Sequence, residues 1–312
     1  MSGLVVGVDG GGSKTLVLVG TAEGEELASA EGPGSAVAPG KAEHSANVIA
    51  ATVRDALSRV EGHDTIDVQI LYCGVAGVGR ETEQKRLQRA LESMELAAEV
   101  VVEPDALVAM HDAFGDAAGI LLIAGTGSIA FGRTHAGAVV RAGGWGPAFG
   151  DEGSGGWIGR RALGIVAAAA DGREAPTSLL GAILTATQCT TPDDLIAWAA
   201  AADTRTIAGL APVVMSTASA GDPRADALVS LAAEELVVHI RALAKQLFGD
   251  ERAAIPVALV GGLMKKGSLL RKRLEQRLRS AIPGAQIRSE EVRPARGALR
   301  AAAARIHLPT SP

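Results

Sequence analysis

The alternation of apolar and polar positions divides the first part of the chain into short strands and amphipathic helices. Branched apolar runs bounded by Gly, Pro and Asp predict strands, and apolar residues at spacings of three and four predict helices. Strands are expected at 4–8, 16–20, 25–31, 67–75 and 99–103, and helices at 46–60, 87–94 and 106–114. A run of strands followed by alternating helices and strands is typical of a mixed α/β lobe.

The stretch 119–144 repeats the plan of the beginning of the chain. In both copies an apolar strand enters a turn rich in Gly, Ser and Thr, a strand leaves it, and a third strand follows. Repetition of this plan suggests an internal duplication. Beyond it, helices are expected at 157–170, 179–187, 193–202, 207–220 and 225–247, a strand at 255–260, and helices after Gly262 and at 295–306.

This pattern predicts two domains. The first comprises residues 1–116, and a C-terminal helix at 295–308 is expected to pack back on it. The second comprises residues 117–294 and carries a helical insertion at 157–248. Two similar lobes, each with a glycine turn, would close over one nucleotide.

The first turn, Asp9–Thr15, has the residue types of a phosphate site. Glycines let backbone N–H groups approach a phosphate closely, and the Ser, Lys and Thr side chains add donors. An acidic residue beside such a turn suggests a magnesium ion held mostly through water. The turn is not a P-loop, because a P-loop opens a helix and this turn joins two strands. A glycine turn without a ligand is the alternative, and the second turn at Gly125–Ser128 weighs against it.

Composition narrows the possible functions. The chain has 312 residues and a net charge of -5, so there is no electrostatic case for a nucleic-acid surface. No apolar run approaches the roughly 20 residues of a membrane span, and no basic region precedes the first strand. These features predict a cytoplasmic protein. Cys73 and Cys189 have neither metal-binding nor redox spacing, so two free thiols are expected.

With these motifs in order, the chain resembles the actin-like ATPase superfamily, and within it the BadF-type ATPase and N-acetylglucosamine kinase family. The resemblance covers nearly the full length. Its motifs are Gly7–Thr15, Pro104-Asp105-Ala106, Ile123–Ser128, Gly143–Ser154 and Leu259–Gly262. It implies a two-lobed α/β fold of the actin-like ATPase (ribonuclease H-like) type, ATP and Mg²⁺ as cofactors, a small sugar as substrate, and a homodimer.

The resemblance also implies a role for each matching residue. Asp9 would organise the magnesium ion, and Asp105 would be the general base. The ATP contacts would be Gly11, Gly12, Ser13, Lys14, Thr15, Gly125, Thr126 and Gly127, with Gly261 and Gly262 beside the adenosine. The sugar contacts would be Gly144, Trp145, Gly146 and Asp151.

Several alternatives stay open at this point. Asp105 and Asp151 could each cap a helix that begins nearby, since Asp is a frequent N-cap. Trp145 could be a plain core residue. Amino-sugar kinases of this family tend to carry an Asn in the loop after the first hairpin, where this chain has Ala36. That departure weakens the case for N-acetylglucosamine itself.

The resemblance leaves two main functions. The first is the ATP-dependent phosphorylation of an amino sugar. The second is an ATP-driven activator that passes electrons from an iron–sulfur cluster to a dehydratase or reductase. Such a cluster needs cysteines near the second phosphate turn, and the sequence has none there. A third function, a polymerising or chaperone-like ATPase, would require a filament surface or peptide-binding domain that the sequence does not indicate.

Overall fold

The computed structural model describes residues 3–61, 67–249 and 253–306. The chain divides into two compact units. Unit 1 combines the residues up to Asp116 with those from Glu290 onward, and unit 2 runs from Ala117 to Ser289. Among the described helices, none is long and apolar enough to cross a membrane.

The strands of the two units form two sheets. They are β1 (Leu4–Gly10), β2 (Lys14–Gly20), β3 (Glu26–Pro33), β4 (Val68–Val75), β5 (Glu99–Pro104), β6 (Gly119–Ala124), β7 (Ser128–Arg133), β8 (Val139–Gly143), β9 (Ile255–Val260) and β10 (Ala285–Ile287). The strand orders are β3-β2-β1-β4-β5 in unit 1 and β10-β9-β6-β7-β8 in unit 2. In both sheets the hairpin strands pair antiparallel and the remaining strands pair parallel.

Helices cover most of the remaining described chain. They are α1 (Ala42–Leu57), α2 (Glu81–Glu92), α3 (Asp105–Phe114), α4 (Gly155–Ala170), α5 (Ser178–Thr187), α6 (Asp194–Ala201), α7 (Thr204–Ala208), α8 (Ala211–Ser219), α9 (Pro223–Phe248), α10 (Leu269–Ala281) and α11 (Pro294–Ile306). A 3₁₀ turn at Gly262–Met264 precedes α10.

The continuous helix expected at 207–220 is wrong, because the chain there forms α7 and α8. Gly209 ends α7, and α8 begins with Ala211 followed by Pro212. Proline lacks an N–H and fits the first turn of a helix, where no intrahelical partner is needed. The chain therefore starts a new helix at this point.

The sheet of unit 1 is buried on both faces. Val6 and Val8 of β1 belong to one apolar core with α1 and α2, and Val5 belongs to a second core with α3 and α11. Successive side chains of a strand point to opposite faces, so a strand covered on both sides is apolar throughout. This accounts for the uninterrupted apolar run at the beginning of the chain.

Helix α11 lies unusually close to its neighbours. A Cβ on Gly297 would be 1.9 Å from the carbonyl oxygen of Val108 in α3, and a Cβ on Gly7 would be 2.3 Å from the backbone nitrogen of Leu299. The absence of a side chain at these two positions is what permits the approach.

A buried carboxylate also fixes α11 against α3. The Asp112 side chain, 1% exposed, accepts hydrogen bonds from Arg296 Nε at 2.6 Å and from the Arg293 backbone N–H at 2.8 Å. Arg300 lies 3.3 Å from the same carboxylate. Removing one member of a buried ion pair leaves the other charge poorly compensated.

We expect Asp112→Asn to lower the free energy of unfolding by roughly 2–4 kcal/mol, because it removes a buried charge that the Arg296 and Arg300 side chains face. Urea unfolding would measure this. Asp171→Asn is the control, since Asp171 is 56% exposed in its pair with Arg173 and should lose less than about 1 kcal/mol. Equal losses in the two variants would show that Asp112 does not anchor α11.

Candidate active site

The first glycine turn joins β1 to β2 in unit 1. The Gly11 N–H donates to the Lys14 carbonyl at 3.0 Å and closes the turn. A Cβ on Gly12 would meet no atom within 4 Å, so there is open space on the side of this residue where a side chain would stand. The turn therefore leaves room for a ligand next to its backbone at the end of a buried strand, as a phosphate contact requires.

The loop after β3 supports this turn. The N–H groups of Ser35 and Ala36 donate to the Gly11 carbonyl at 3.0 and 3.1 Å. A Cβ on Gly34 would lie 2.5 Å from the Gly12 carbonyl oxygen, so a larger residue would push the loop away. The segment that contains Ala36 therefore lies directly beside the predicted phosphate turn.

Side chains of the turn have different surroundings. Thr15 is buried, and its hydroxyl donates to the Pro33 carbonyl at 2.6 Å and contacts the Ser35 hydroxyl at 2.7 Å. Its side chain thus holds the turn and does not face an external ligand. Lys14 is exposed and pairs with Glu31 at 3.1 Å. Exposed pairs of this kind contribute little, so the pairing would not prevent Lys14 from meeting a phosphate.

Two carboxylates mark the same edge of the sheet. Asp9 lies beside Gly74 in the β1–β4 register, and Gly74 lies beside Glu103 in the β4–β5 register. Asp105 follows two residues later, as the first residue of α3. Because β1, β4 and β5 are parallel, their carboxyl ends meet at one edge, and both aspartates lie there.

The electrostatics show that these two carboxylates interact. Burial, and secondarily the negative charge of Asp105, raise the pKa of Asp9 to about 6, although Lys14 partly opposes this. Burial also raises the pKa of Asp105, against a hydrogen bond from the Ala106 N–H at 2.9 Å. Perturbed pKa values of neighbouring acids are characteristic of functional sites.

The same pair suits a magnesium ion. The described residues contain no group of three or more His, Cys, Asp or Glu that could enclose a metal. Mg²⁺ is commonly held by one or two carboxylates together with water and phosphate oxygens. Asp9 fits that role, because a nearby cation would offset the charge repulsion from Asp105.

The alternative of Asp105 as a helix cap finds limited support. The N-cap position of α3 is Pro104, and no side chain caps the helix. The Asp105 carboxylate accepts a hydrogen bond from the adjacent N–H of Ala106, and a carboxylate has capacity for further acceptor contacts.

The second glycine turn, in unit 2, is supported by a helix. The Gly125 N–H donates to the Gly127 carbonyl at 2.9 Å and closes the turn between β6 and β7. At the start of α4, the N–H groups of Gly155 and Gly156 donate to the carbonyls of Gly125 and Thr126 at 2.8 and 3.0 Å. Unpaired donors at a helix N-terminus are thereby satisfied, and the turn is held in place.

Asp151 lies against this turn. A Cβ on Gly127 would be 2.9 Å from Asp151 Oδ2, so the carboxylate and the turn are in contact. Asp151 has a φ of 63° and is 7% exposed. A buried non-glycine residue in this left-handed conformation is uncommon and often functional. The alternative of Asp151 as a helix cap is wrong, because the cap of α4 is the Ser154 hydroxyl, which accepts from the Trp157 N–H.

The predicted adenosine glycines meet the same turn. Gly261 has a φ of 107°, and a Cβ there would lie 2.2 Å from the Ala124 carbonyl oxygen. Ala124 is the last residue of β6, directly before the turn. A Cβ on Gly262 would meet nothing within 4 Å, so there is open space where a side chain would stand. Within unit 2, the structure therefore brings Gly261 next to the second phosphate turn.

The predicted sugar loop follows β8. The Gly144 N–H donates to the Ser128 carbonyl at 3.1 Å, and the Ser128 hydroxyl donates to the Glu152 carbonyl at 2.7 Å. These bonds tie both ends of the loop to the first residue of β7. Gly144 and Gly146 have φ values of 69° and 86°, which glycine adopts freely. Trp145 is 68% exposed, so its reading as a core residue is wrong.

Sequence reasoning missed three of these features. It did not pair Thr15 with Ser35, place Asp151 on the second turn, or couple Asp9 to Asp105. The first two depend on contacts between segments far apart in the chain. The third had a signal, since each acid follows an apolar strand and parallel strands end at a common edge.

Because the pKa of Asp9 is raised, ionisation of this side chain should lower the free energy of unfolding as the pH increases. A carboxyl whose pKa is higher in the folded state destabilises the fold as the pH rises from about 4 to above 6. We expect Asp9→Asn to stabilise the metal-free protein by roughly 1–2 kcal/mol at pH 7.5, and by much less at pH 4.

Chemical unfolding with EDTA at several pH values would test this expectation. Asp116→Asn, at an exposed position of the same unit, is the matched control and should change little at any pH. If the difference in unfolding free energy between Asp9→Asn and the wild type stayed constant with pH, ionisation of the Asp9 carboxyl would not be the source of the destabilisation.

Comparison with known proteins identifies relatives of the chain. The BadF/BadG/BcrA/BcrD ATPase family matches residues 6–302. N-acetyl-D-glucosamine kinase from Dictyostelium discoideum is 30% identical over 95% of this chain and 96% of its own length. N-acetylmuramic acid/N-acetylglucosamine kinase from Clostridium acetobutylicum is 30% identical over 83% of this chain and 85% of its own length.

A solved structure also matches. A candidate N-acetylglucosamine kinase from Chromobacterium violaceum superposes with a TM-score of 0.79 and 32% identity, covering 96% of this chain and 98% of that one. The expected two-lobed actin-like ATPase fold is confirmed. The protein belongs to the BadF/BadG/BcrA/BcrD ATPase family.

Proposed function

We propose that the protein is an ATP-dependent kinase that phosphorylates a hydroxyl of an amino sugar. The observation that carries the proposal is the interacting pair Asp9 and Asp105 at one sheet edge, beside a glycine turn that has open space at Gly12. Relatives along nearly the whole chain are amino-sugar kinases. Phosphoryl transfer to an alcohol is favoured by three features together: the carboxylate pair, the proposed phosphate turn and the similarity to sugar kinases.

In this proposal Asp105 accepts the proton of the sugar hydroxyl. The hydroxyl oxygen forms a bond to the γ-phosphorus of ATP, the bond to the β-phosphate oxygen breaks, and ADP leaves. General-base assistance is worth roughly a hundred- to ten-thousandfold in rate. A raised pKa makes Asp105 a better proton acceptor than an ordinary surface aspartate, because it brings basicity nearer to neutral pH.

Asp9 would hold magnesium in this proposal. The ion, when bound, would neutralise charge on the phosphates. Backbone N–H groups around Gly12 and Gly125 would orient phosphate oxygens, since phosphoryl transfer depends mostly on positioning and charge neutralisation. Ser13 and Thr126 keep their proposed phosphate contacts, whereas the buried hydroxyl of Thr15 supports the turn.

The relatives, the loop that contains Ala36 and the loop after β8 together indicate which sugars the protein would phosphorylate. The named relatives act on N-acetylglucosamine, and one also acts on N-acetylmuramic acid. Ala36 lies beside the phosphate turn, where an alanine cannot hydrogen-bond a sugar. One absent hydrogen bond is worth about 0.5–1.5 kcal/mol, so it would alter the preference among amino sugars without abolishing activity. Gly144, Trp145, Gly146 and Asp151 are the proposed sugar contacts.

The activator function is less well supported. Cys73 is buried in β4, and burial raises the pKa of its thiol. Cluster ligation requires thiolates, so this environment opposes it. The sequence has only one other cysteine, Cys189. Homodimer assembly and a cytoplasmic location stay predictions from the resemblance and the composition.

The direct experiment measures ADP formation against a panel of sugars. The panel contains glucosamine, N-acetylglucosamine, N-acetylmuramic acid and plain hexoses, with ATP and magnesium. We expect turnover with N-acetylated amino sugars well above the sugar-free rate. Activity with none of them would contradict the proposed function.

We expect Asp105→Asn to reduce turnover by roughly a hundredfold or more while ATP affinity stays close to that of the wild type. The amide keeps the shape of the side chain but cannot accept the proton. Steady-state kinetics and calorimetry with a non-hydrolysable nucleotide would separate the two effects. Asp116→Asn serves as the control, and wild-type turnover in Asp105→Asn would remove the general base from the mechanism.

We expect Gly12→Val and Gly125→Val to abolish tight ATP binding while the fold survives. A Cβ at either position meets nothing within 4 Å, so the new side chain occupies only the space proposed for phosphate. Gly181→Val in α5, where a Cβ also meets nothing within 4 Å, is the matched control. Calorimetry would measure affinity and thermal melting would measure folding. Unchanged nucleotide binding in both variants would refute the two phosphate turns.

A further inference from the structure

The predicted sugar loop exposes two large aromatic side chains. Trp145 is 68% exposed and Phe149 is 85% exposed, whereas Trp157 in α4 is 7% exposed. Aromatic residues make up only 3% of the chain, so two exposed rings within five positions are a notable concentration. Exposed apolar groups beside a functional site commonly mark a binding surface.

A cation is positioned on this surface. The guanidinium carbon of Arg141 lies 4.6 Å from the centre of the Trp145 ring, in cation–π geometry. One amino group of Arg141 donates to the Gly144 carbonyl at 3.2 Å. Arg141 lies in β8, at the start of the loop, and these two contacts favour this orientation of its side chain before any ligand binds. Preorganisation of this kind favours ligand binding.

Arg141 has no carboxylate partner within the part of the chain that the structure describes. Its contacts with Trp145 and Gly144 use the guanidinium face and one N–H, and a guanidinium has five N–H donors in a planar fork. The remaining donors can form the paired hydrogen bonds that arginine makes to a carboxylate. An exposed, oriented and unpaired guanidinium at the sugar loop is therefore suited to an anionic group.

The charge of the loop indicates which anion. Residues 143–154 contain no Lys, Arg or His, and they contain Asp151 and Glu152. Arg141 is the one Lys, Arg or His among residues 141–154, and a single cation matches a singly charged carboxylate better than a phosphate, which carries more charge and more acceptor oxygens. The apolar rings beside Arg141 suit the carbon skeleton that carries such a carboxylate.

We propose that Arg141 binds a carboxylate on the sugar, so that the preferred substrate is an amino sugar with an acidic substituent, as in N-acetylmuramic acid. The inference rests on the proposed function and deepens it, since it names the feature that selects among amino sugars. Arg141 is a specificity residue in this account, and Trp145 holds it in place.

The test compares three substrates in the wild type and two variants. N-acetylmuramic acid, its methyl ester and N-acetylglucosamine differ in the carboxylate, which the ester neutralises and the third sugar lacks. Arg141→Gln removes the charge, and Arg141→Lys keeps the charge without the planar fork. We expect Arg141→Gln to raise the KM for N-acetylmuramic acid by roughly tenfold to a hundredfold, because a charge-assisted bond is lost. The KM values for the ester and for N-acetylglucosamine should change less than about threefold, and Arg141→Lys should lie in between.

Arg161→Gln is the matched control. The Arg161 guanidinium lies 4.2 Å from the centre of the Trp157 ring, so this variant loses the same kind of cation–π contact on α4. It should leave the ratio of KM values for acid and ester unchanged. Equal effects of Arg141→Gln on all three substrates would overturn the inference, as would a wild-type enzyme that does not distinguish the acid from the ester.

Binding is measured in parallel by calorimetry with N-acetylmuramic acid and its ester. If the protein phosphorylates none of the sugars, the proposed function fails. Even then, the carboxylate contact would be supported if Arg141→Gln bound N-acetylmuramic acid more weakly than the wild type does but bound the methyl ester equally well. Identical binding of both compounds by the wild type and the variant would overturn it, whatever the activity.

Discussion

The position of α3 is the constraint on which the unit 1 site depends. This helix begins with Asp105, and near its other end the buried Asp112 carboxylate binds the arginines of α11. Asp112 itself is almost completely removed from water, and Gly297 allows α11 to approach α3 closely. The proposed catalytic carboxylate thus lies at the start of a helix that the C-terminal segment of the chain holds against the sheet.

The two glycine turns share a plan but have different supports. In unit 1 the loop after β3 donates two N–H groups to the carbonyl of Gly11. In unit 2 the first N–H groups of α4 donate to the carbonyls of the turn. Both arrangements satisfy the polar backbone of a short turn from outside, which leaves the remaining backbone groups of the turn for a ligand. The two units share a strand–turn–strand plan, and each stabilises it with its own neighbouring segment.

Several features of the proposed binding segments are unfavourable for the stability of the folded state. Burial, and secondarily the negative charge of Asp105, raise the pKa of Asp9, and the folded state is less stable at neutral pH because of it. Asp151 occupies a left-handed backbone conformation that a glycine would adopt more easily. Trp145 and Phe149 leave apolar rings in water. These unfavourable features are all in the segments proposed to bind substrate, where ligand contacts can offset them.

The sequence by itself determined most elements and the chemistry of the motifs. Apolar runs, helical periodicity and glycine turns are local properties of the chain, so they could be recognised without coordinates. It also distinguished the first turn from a P-loop, because the residues that follow Thr15 form a strand.

Only the tertiary structure decided which of these residues act together. Three contacts join segments that are 20 to nearly 100 residues apart. They are the pairing of Thr15 with Ser35, the contact of Asp151 with Gly127, and the interaction of Asp9 with Asp105. Strand order, helix docking and burial fix such contacts, and they also fix the electrostatic environment of each carboxylate. For the same reason the sequence could not distinguish the buried Thr15 hydroxyl from Gly12, which has open space beside it, although both lie in one motif.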